Sequence, residues 1–438
     1  MVEAHGFLDL TRSAYGIAAV VIFVLAYVLV IFEERMALRK SKPVMIAAGL
    51  IWALIGMAYA SVGKSPVAEA AAQHVIFEYG ELFLFLLVAI IYVNTLEERR
   101  VFDVLRVKLS QYGFTYRQLF WLTGGAAFLL SSVLNNLTTA LVMGAVVLAL
   151  GKASPKFITV SCVSIVVAAN AGGAFSPFGD ITTLMVWQKG KVAFFEFLVL
   201  FIPAVLNWLV PAFIMQFGLN RGAPAADKEV ISMKPGAMGV VVLFALTTAT
   251  AVMFRNYLGL QPALGMMLGL GYLQLWAYYL QMRSPQRGGN DMFLDSFKQF
   301  ERMEWDTLLF FFGIIFSVGG LGVLGYLNLA NTTLYGQFGP TLANVTIGVL
   351  SAIIDNIPLI FAVLTMDPVM SHGQWLLVTL TSAVGGSLLS IGSAAGVALM
   401  GVAPKHYTFI SHLKWTWAVA LGYAVSIVAH MTINAGLF

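Results

Sequence analysis

Apolar runs at residues 15–32, 44–62, 235–254 and 413–436 are each close to the ~20 residues an α-helix needs to cross the hydrocarbon core of a bilayer. Charged residues make up only 11% of the 438-residue chain. That is less than half of the roughly 25% in a soluble domain, too few to clothe a water-facing surface. The first run lacks a small-residue cleavage site and is followed by Glu33, Glu34 and Arg35, so it reads as a retained span and not a removed signal peptide. The single cysteine, Cys162, excludes an internal disulfide and a cysteine-built metal cluster.

Twelve hydrophobic segments are legible: 15–32, 44–62, 76–95, 117–150, 156–187, 193–218, 235–255, 261–281, 305–327, 340–367, 373–402 and 413–436. Two of them, 117–150 and 340–367, are broken midway by polar residues. Two more, 156–187 and 373–402, are broken by glycine-rich runs. Treating 117–150 and 340–367 as re-entrant hairpins leaves about ten crossings. With the N-terminus outside, every Lys and Arg except Arg12, Lys64, Lys189, Lys191 and Arg255 then falls in an inside loop, as retention of basic loops in the cytoplasm requires. If 117–150 crossed instead, that bias would collapse. The piece 99–112 is amphipathic and predicts an interfacial helix. Pro285, Gly288 and Gly289 make the polar stretch 282–304 a linker.

The chain also repeats itself. SSVLNNLTTALV at 131–142 aligns with SAIIDNIPLIFA at 351–362, and GGAFSPFGD at 172–180 with GGSLLSIGS at 385–393. Upstream, Glu78–Tyr79 before an apolar run matches Glu304–Trp305 before another. The charge-derived topology puts the first hairpin inside and the second outside, so the copies are inverted. Paired broken helices in inverted repeats predict a transporter with its site near the midplane. The expected fold is an all-α membrane protein of two inverted repeats, with paired re-entrant hairpins and broken transmembrane helices. Its parts are an N-terminal span and loop (1–43), a first repeat (44–218) with an inside hairpin, a connecting span (219–260), and a second repeat (261–438) with an outside hairpin.

Loop-forming sequence inside a span must line protein or water. Four such loops occur: Asn135–Asn136 with Thr138 and Thr139; Asp355–Asn356 with Pro358; Asn170 to Asp180; and Gly385 to Ser393. Half-helix ends expose carbonyls that suit cations and N–H groups that suit anions. The acids decide between them. No Lys or Arg is assigned to a membrane segment, whereas Asp180, Asp306 and Asp355 are. Inverted symmetry brings Asp180 and Asp355 together, and an acid at membrane depth is a functional residue by default. Two such groups exchange a proton for a monovalent cation by competition. Each residue also has a plainer role. Asp180 and Asp355–Asn356 can cap helices, Asp306 can cap at the interface, Asn170 can bridge helices, and Ser131, Ser351, Ser390 and Ser393 can serve close packing. The Gly172–Gly173 and Gly385–Gly386 pairs permit chain breaks. The histidines are scattered without metal spacing, with His74 and His372 expected in outer loops.

The stretches NNLTT at 135–139, NAGGAFSPFGDITTLMVW at 170–187, DNIP at 355–358 and GGSLLSIGSAAGVALMG at 385–401 resemble the NhaD-type sodium/proton antiporters of the ion transporter superfamily. The resemblance runs from about residue 44 to the end. It implies a scaffold and a transport domain per protomer, a homodimer in the bacterial inner membrane, and exchange of Na+ or Li+ for H+ favoured at alkaline pH. It places function on Ser131, Asn135 and Asn136, on Ser351, Asp355 and Asn356, on Asn170, Asp180, Thr182 and Thr183, on Ser390 and Ser393, and on Asp306 with Thr307. One departure is Asn135, which stands where the family pattern has an acid.

The expected activity is therefore Na+ (or Li+)/H+ exchange by alternating access, with termini on the periplasmic side. Na+ is expected at Asp355, Asn356, Asp180 and Asn136, since a hard cation prefers oxygen. No resident cofactor and no nucleic-acid partner is expected. An organic-anion or arsenite carrier of the same superfamily is the alternative, and the two acids oppose it. An intramembrane enzyme lacks a catalytic Ser/His pair, an HExxH run or a cysteine nucleophile. A channel is disfavoured by the paired broken helices.

Overall fold

The computed structural model describes residues 7–36, 38–111, 113–219, 222–224, 231–283 and 296–438. Most of the linker expected at 282–304 lies outside them. Among the described residues the chain is helical and contains no strand. Eight helices are long and apolar enough to cross a membrane. Two crossings expected from the sequence are missing from those eight. The segment at 261–281 is helical but diluted by Gln, Tyr and Trp, and 373–402 is split into pieces too short to qualify.

The helices run in order as α1 (Ala14–Ile31), α2 (Glu33–Met36), α3 (Ser41–Ser61), α4 (Ser65–Glu98), α5 (Val101–Gln111), α6 (Tyr116–Ser131), α7 (Asn136–Leu150), α8 (Pro155–Gly173), α9 (Ile181–Gln188) and α10 (Phe201–Met215). Then come α11 (Ala237–Leu258), α12 (Pro262–Arg283), α13 (Ser296–Glu301), α14 (Trp305–Val323), α15 (Tyr326–Leu350), α16 (Asn356–Met366), α17 (His372–Gly385), α18 (Ala394–Val402), α19 (Phe409–Leu413) and α20 (Thr416–Ile433). Two elements exceed their expected lengths. The 34 residues of α4 begin well before the apolar run at 76–95, which places His74 inside a helix and not in a loop. His372 likewise opens α17, 3.3 Å from Glu196. The helix α15 begins at Tyr326, ahead of the apolar stretch. It bends at Gly339 (φ 73°), followed by Pro340.

The chain divides into two compact units. The first comprises Met1–Ile90, Glu301–Gly339 and Phe361–Val369. Here α3 packs along α14, because Gly313 lets Val44 approach and Gly320 does the same for Ile51. Ile51, Ile55, Tyr59 and Leu324 centre its core, and the Tyr59 hydroxyl donates to the Val323 carbonyl (3.2 Å).

The second unit comprises Ile91–Phe300, Pro340–Ile360 and Met370–Phe438. Its centre is formed by α8 and α17. Every residue of α8 from Val160 to Gly173 is buried, and so is every residue of α17 from Gly373 to Gly385. A helix apolar on all sides belongs in an interior. Both α6 and α7 lie against α8 and against each other, while α10 pairs with α20 and α11 with α12. At the α11–α12 pair, the buried Tyr92 hydroxyl lies 2.9 Å from Thr247 Oγ1 and donates to the Gly269 carbonyl at 2.7 Å. Tyr92→Phe removes this tie and should lower unfolding stability by about 1–2 kcal/mol. Thermal unfolding of the purified protein checks this.

Candidate functional site

Four interruptions in the second unit build the site. The first separates α6 from α7, the second α8 from α9, the third precedes α16, and the fourth separates α17 from α18. Each new helix begins on a polar residue, for a local reason: the first N–H groups of a helix lack intrahelical partners and take a side-chain oxygen instead. Asn135 Oδ1 accepts from Thr138 N at 2.7 Å, Asp180 Oδ1 from Thr182 N at 3.2 Å, and Ser393 Oγ from Gly396 N at 3.4 Å. Asp355 stands just before α16.

Capping uses one oxygen of Asp180 and leaves the other for the site. Asp180 Oδ2 accepts from Asn356 Nδ2 at 3.1 Å, which joins the second interruption to the start of α16. Asp180 is 4% exposed, so no bulk water screens it. The half-buried Asp355 carboxylate acts on it electrostatically. A second set of amide hydrogen bonds links other interruptions. Asn136 Nδ2 donates to Asn170 Oδ1 at 3.1 Å, and Asn170 Nδ2 donates to Ser393 Oγ at 3.0 Å. Residues from both halves of the sequence therefore meet in two places. Asn170 bridges helices and also links two interruptions.

Ser131 and Ser351, at the first and third interruptions, each tie their segment to a neighbouring helix. Ser131 Oγ donates to Ala169 O at 2.5 Å, and Ser351 Oγ to Ser382 O at 2.8 Å. Thr183 Oγ1 donates to Gly173 O at 3.2 Å. The hydroxyls of Thr182 and Ser390 are buried and bond to no group among the described residues. Their lone pairs are open to a cation, which needs several oxygens. Asp306 and Thr307 belong to the first unit. There Asp306 accepts from the Ser41 hydroxyl, and Thr307 donates to Glu304 at 3.3 Å.

The glycine pairs do more than allow the chain to break. None of them has a positive φ. They instead allow backbone to touch backbone: a Cβ on Gly172 would fall 2.1 Å from Phe128 O, and one on Gly385 only 1.9 Å from Gly348 O. Sequence reasoning also passed over His412. It is buried, and its Nε2 lies 2.9 Å from the carbonyl of Ser387 in the fourth interruption. Nothing in the spacing of the histidines signalled this, because its partners are a backbone carbonyl and a tyrosine.

The amide chain gives a direct test. Asn170→Ala cuts Asn136 from Ser393. It removes two hydrogen bonds of a buried side chain and should lower unfolding stability by about 1–2 kcal/mol. Thermal unfolding of the purified protein would show it.

Polar, acid-bearing interruptions enclosed by a bundle of membrane-length helices define a multi-pass membrane protein of the transporter class. The chain belongs to the NhaD-type Na+/H+ antiporter family and to the wider family whose model is described as citrate transporter, which matches residues 27–385. It is 54% identical to a Na+/H+ antiporter NhaD of Alkalimonas amylolytica, over 98% of this chain and 93% of that one. It is 51% identical to the Na+/H+ antiporter NhaD of Vibrio cholerae, over 98% and 94%. Sodium/proton antiporter 1 of Arabidopsis thaliana is 32% identical over 95% of this chain and 72% of its own length.

Proposed function

We propose that the protein exchanges Na+ (or Li+) for H+ across a membrane by alternating access, with Asp180 and Asp355 as the carboxylates that cation and proton share. One observation carries the reading: Asp180 sits buried, bonded to Asn356 from the other half of the sequence and acted on by Asp355. A carboxylate pair of which one member is buried and the other half-buried binds a cation or takes up protons, and holding both kinds of charge at once is unfavourable. That competition couples the two fluxes. Around the pair, Asn136, Asn170, Thr182, Ser390 and Ser393 supply neutral oxygens suited to a hard cation. Relatives above 50% identity bear the name Na+/H+ antiporter, which favours this cargo over the citrate of the family model's description.

In this reading the sequence is duplicated and inverted. Matched contacts support the duplication. Ser131 and Ser351 each pin a hairpin end, Gly172 and Gly385 each admit a backbone carbonyl, and Gly179 and Gly392 each abut the carbonyl of the pinned serine. The 16 residues of α6 and the 15 of α7 each fall short of the ~20 needed to cross, as a re-entrant hairpin requires. Both termini then face the periplasm, and the basic loops face the cytoplasm of an inner membrane. Ser131, Asn135, Ser351, Thr183, Asp306 and Thr307 belong to the working set as pinning, capping or neighbouring groups, and the active form is a homodimer.

Purified protein in sealed proteoliposomes, given an inward Na+ gradient, should expel protons, and an equal citrate gradient should not. Citrate-driven flux without a Na+ response would overturn the proposal in favour of an anion carrier.

A further inference from the structure

In the fourth interruption the carbonyls of Ser387 and Leu388 are held by side chains from the helices that follow. His412 Nε2 lies 2.9 Å from Ser387 O, and Thr416 Oγ1 donates to Leu388 O at 2.8 Å. A carbonyl only accepts, so Nε2 carries the ring proton. Nδ1 of the neutral ring is then an acceptor, and the Tyr407 hydroxyl 2.7 Å away donates to it. His412 and Tyr407 are both fully buried. Tyr407 thus fixes the tautomer, and the tautomer fixes the bond to Ser387. Both interruptions also carry internal turn bonds, Gly179 N to Ser176 O (2.9 Å) in the second and Gly392 N to Leu389 O (3.3 Å) in the fourth, and in the second the Gly173 carbonyl is held by Thr183 of the helix that directly follows.

We infer that His412 is a positioning residue for the ion site: with Tyr407 and Thr416 it sets the placement of Ser390 and Ser393, and through them ion affinity and ion-size selectivity, without touching the ion. Only Leu388 and Leu389 lie between Ser387 and Ser390, so releasing the Ser387 carbonyl lets the segment rotate before it reaches the two hydroxyls. Ser393 also receives the Asn170 amide, and a rotation there loosens the end of the amide chain. The inference rests on the ion-exchange reading for its cargo.

Binding and exchange are to be measured separately on the full-length protein. Na+ and Li+ affinities come from ion-induced thermal stabilisation in detergent, and proton-coupled flux comes from proteoliposomes. Tyr407→Phe, Thr416→Val and His412→Ala should each weaken Na+ binding about 3- to 10-fold and shift the Na+/Li+ affinity ratio. Maximal flux per folded molecule should stay within about twofold of the unmodified protein. His412→Gln, whose amide can donate to Ser387 O, should restore most of the affinity. If His412→Ala does not fold, Tyr407→Phe and Thr416→Val carry the same test. Variants that lose thermal stability in ion-free buffer yet keep the original affinities and ratio would overturn the inference, because His412 would then only support the fold. A parent protein that binds Na+ without moving protons would overturn the antiport reading and leave the affinity comparison intact.

Discussion

Replacing Asp180 by Asn should abolish Na+-dependent proton flux while the protein still folds. The substitution is close to isosteric. The amide oxygen can still accept from Thr182 N and cap α9, and the Asn356 side chain can turn its oxygen toward the new amide. What disappears is the charge. Asn cannot be protonated, so one of the two competing ligands has no acceptor. The cation also loses a full negative charge from a buried position. We expect exchange to fall about 100-fold, the equivalent of about 3 kcal/mol of lost stabilisation. The check is dissipation of a pH gradient by added Na+ in everted vesicles, scaled to the amount of protein in the membrane. Near-normal flux in Asp180→Asn would remove the shared carboxylate from the mechanism.

Gly385→Ala should destabilise the fold as strongly as any single methyl group in this chain. Its Cβ would lie 1.9 Å from Gly348 O and 2.7 Å from Gly348 C. Both are backbone atoms, so no side-chain rotation relieves the clash. The limb 340–350 would have to move off α17 and lose its neighbouring tie from Ser351 Oγ to Ser382 O. Gly348 is itself tightly packed, since a Cβ there would lie 2.1 Å from the Tyr423 hydroxyl and 2.6 Å from Thr381 Cβ. Overpacking of this kind costs about 3 kcal/mol, the upper part of the usual range. Thermal unfolding should show a clear drop, with exchange lost in parallel. Gly401→Ala is the control, since nothing lies within 4 Å of a Cβ placed there. It should match the parent protein.

Much of this site was legible in the sequence because membrane interiors make polar residues conspicuous. Asp180, Asp355, Asn136, Asn170 and Asn356 stood out as polar groups in apolar stretches. The structure joins Asp180 to Asn356 and Asn136 through Asn170 to Ser393. The interruptions were equally plain, since Asn, Asp, Gly and Pro clusters rarely continue a helix. Other features left no such trace. The start of α15 at Tyr326 is made of residues such as Asn328, Asn331 and Thr332, too polar to register as part of a hydrophobic segment. The extension of α4 ahead of residue 76 is invisible to hydropathy for the same reason. The close approaches at Gly172 and Gly385 depend on which backbone lies opposite, and sequence shows only the missing side chain. His412 looked like any other isolated histidine, because its role comes from a carbonyl 25 residues away along the chain.

Na+ affinity measured across a pH series, in ion-binding assays on the purified protein, tests the shared-carboxylate account most directly. Competition between one Na+ and one H+ for the same oxygens weakens apparent Na+ affinity about tenfold for each pH unit of acidification, once the site is mostly protonated. Binding should also release protons into weakly buffered solution. A Na+ affinity that stays constant from alkaline to acid pH, with no proton release, would contradict the account.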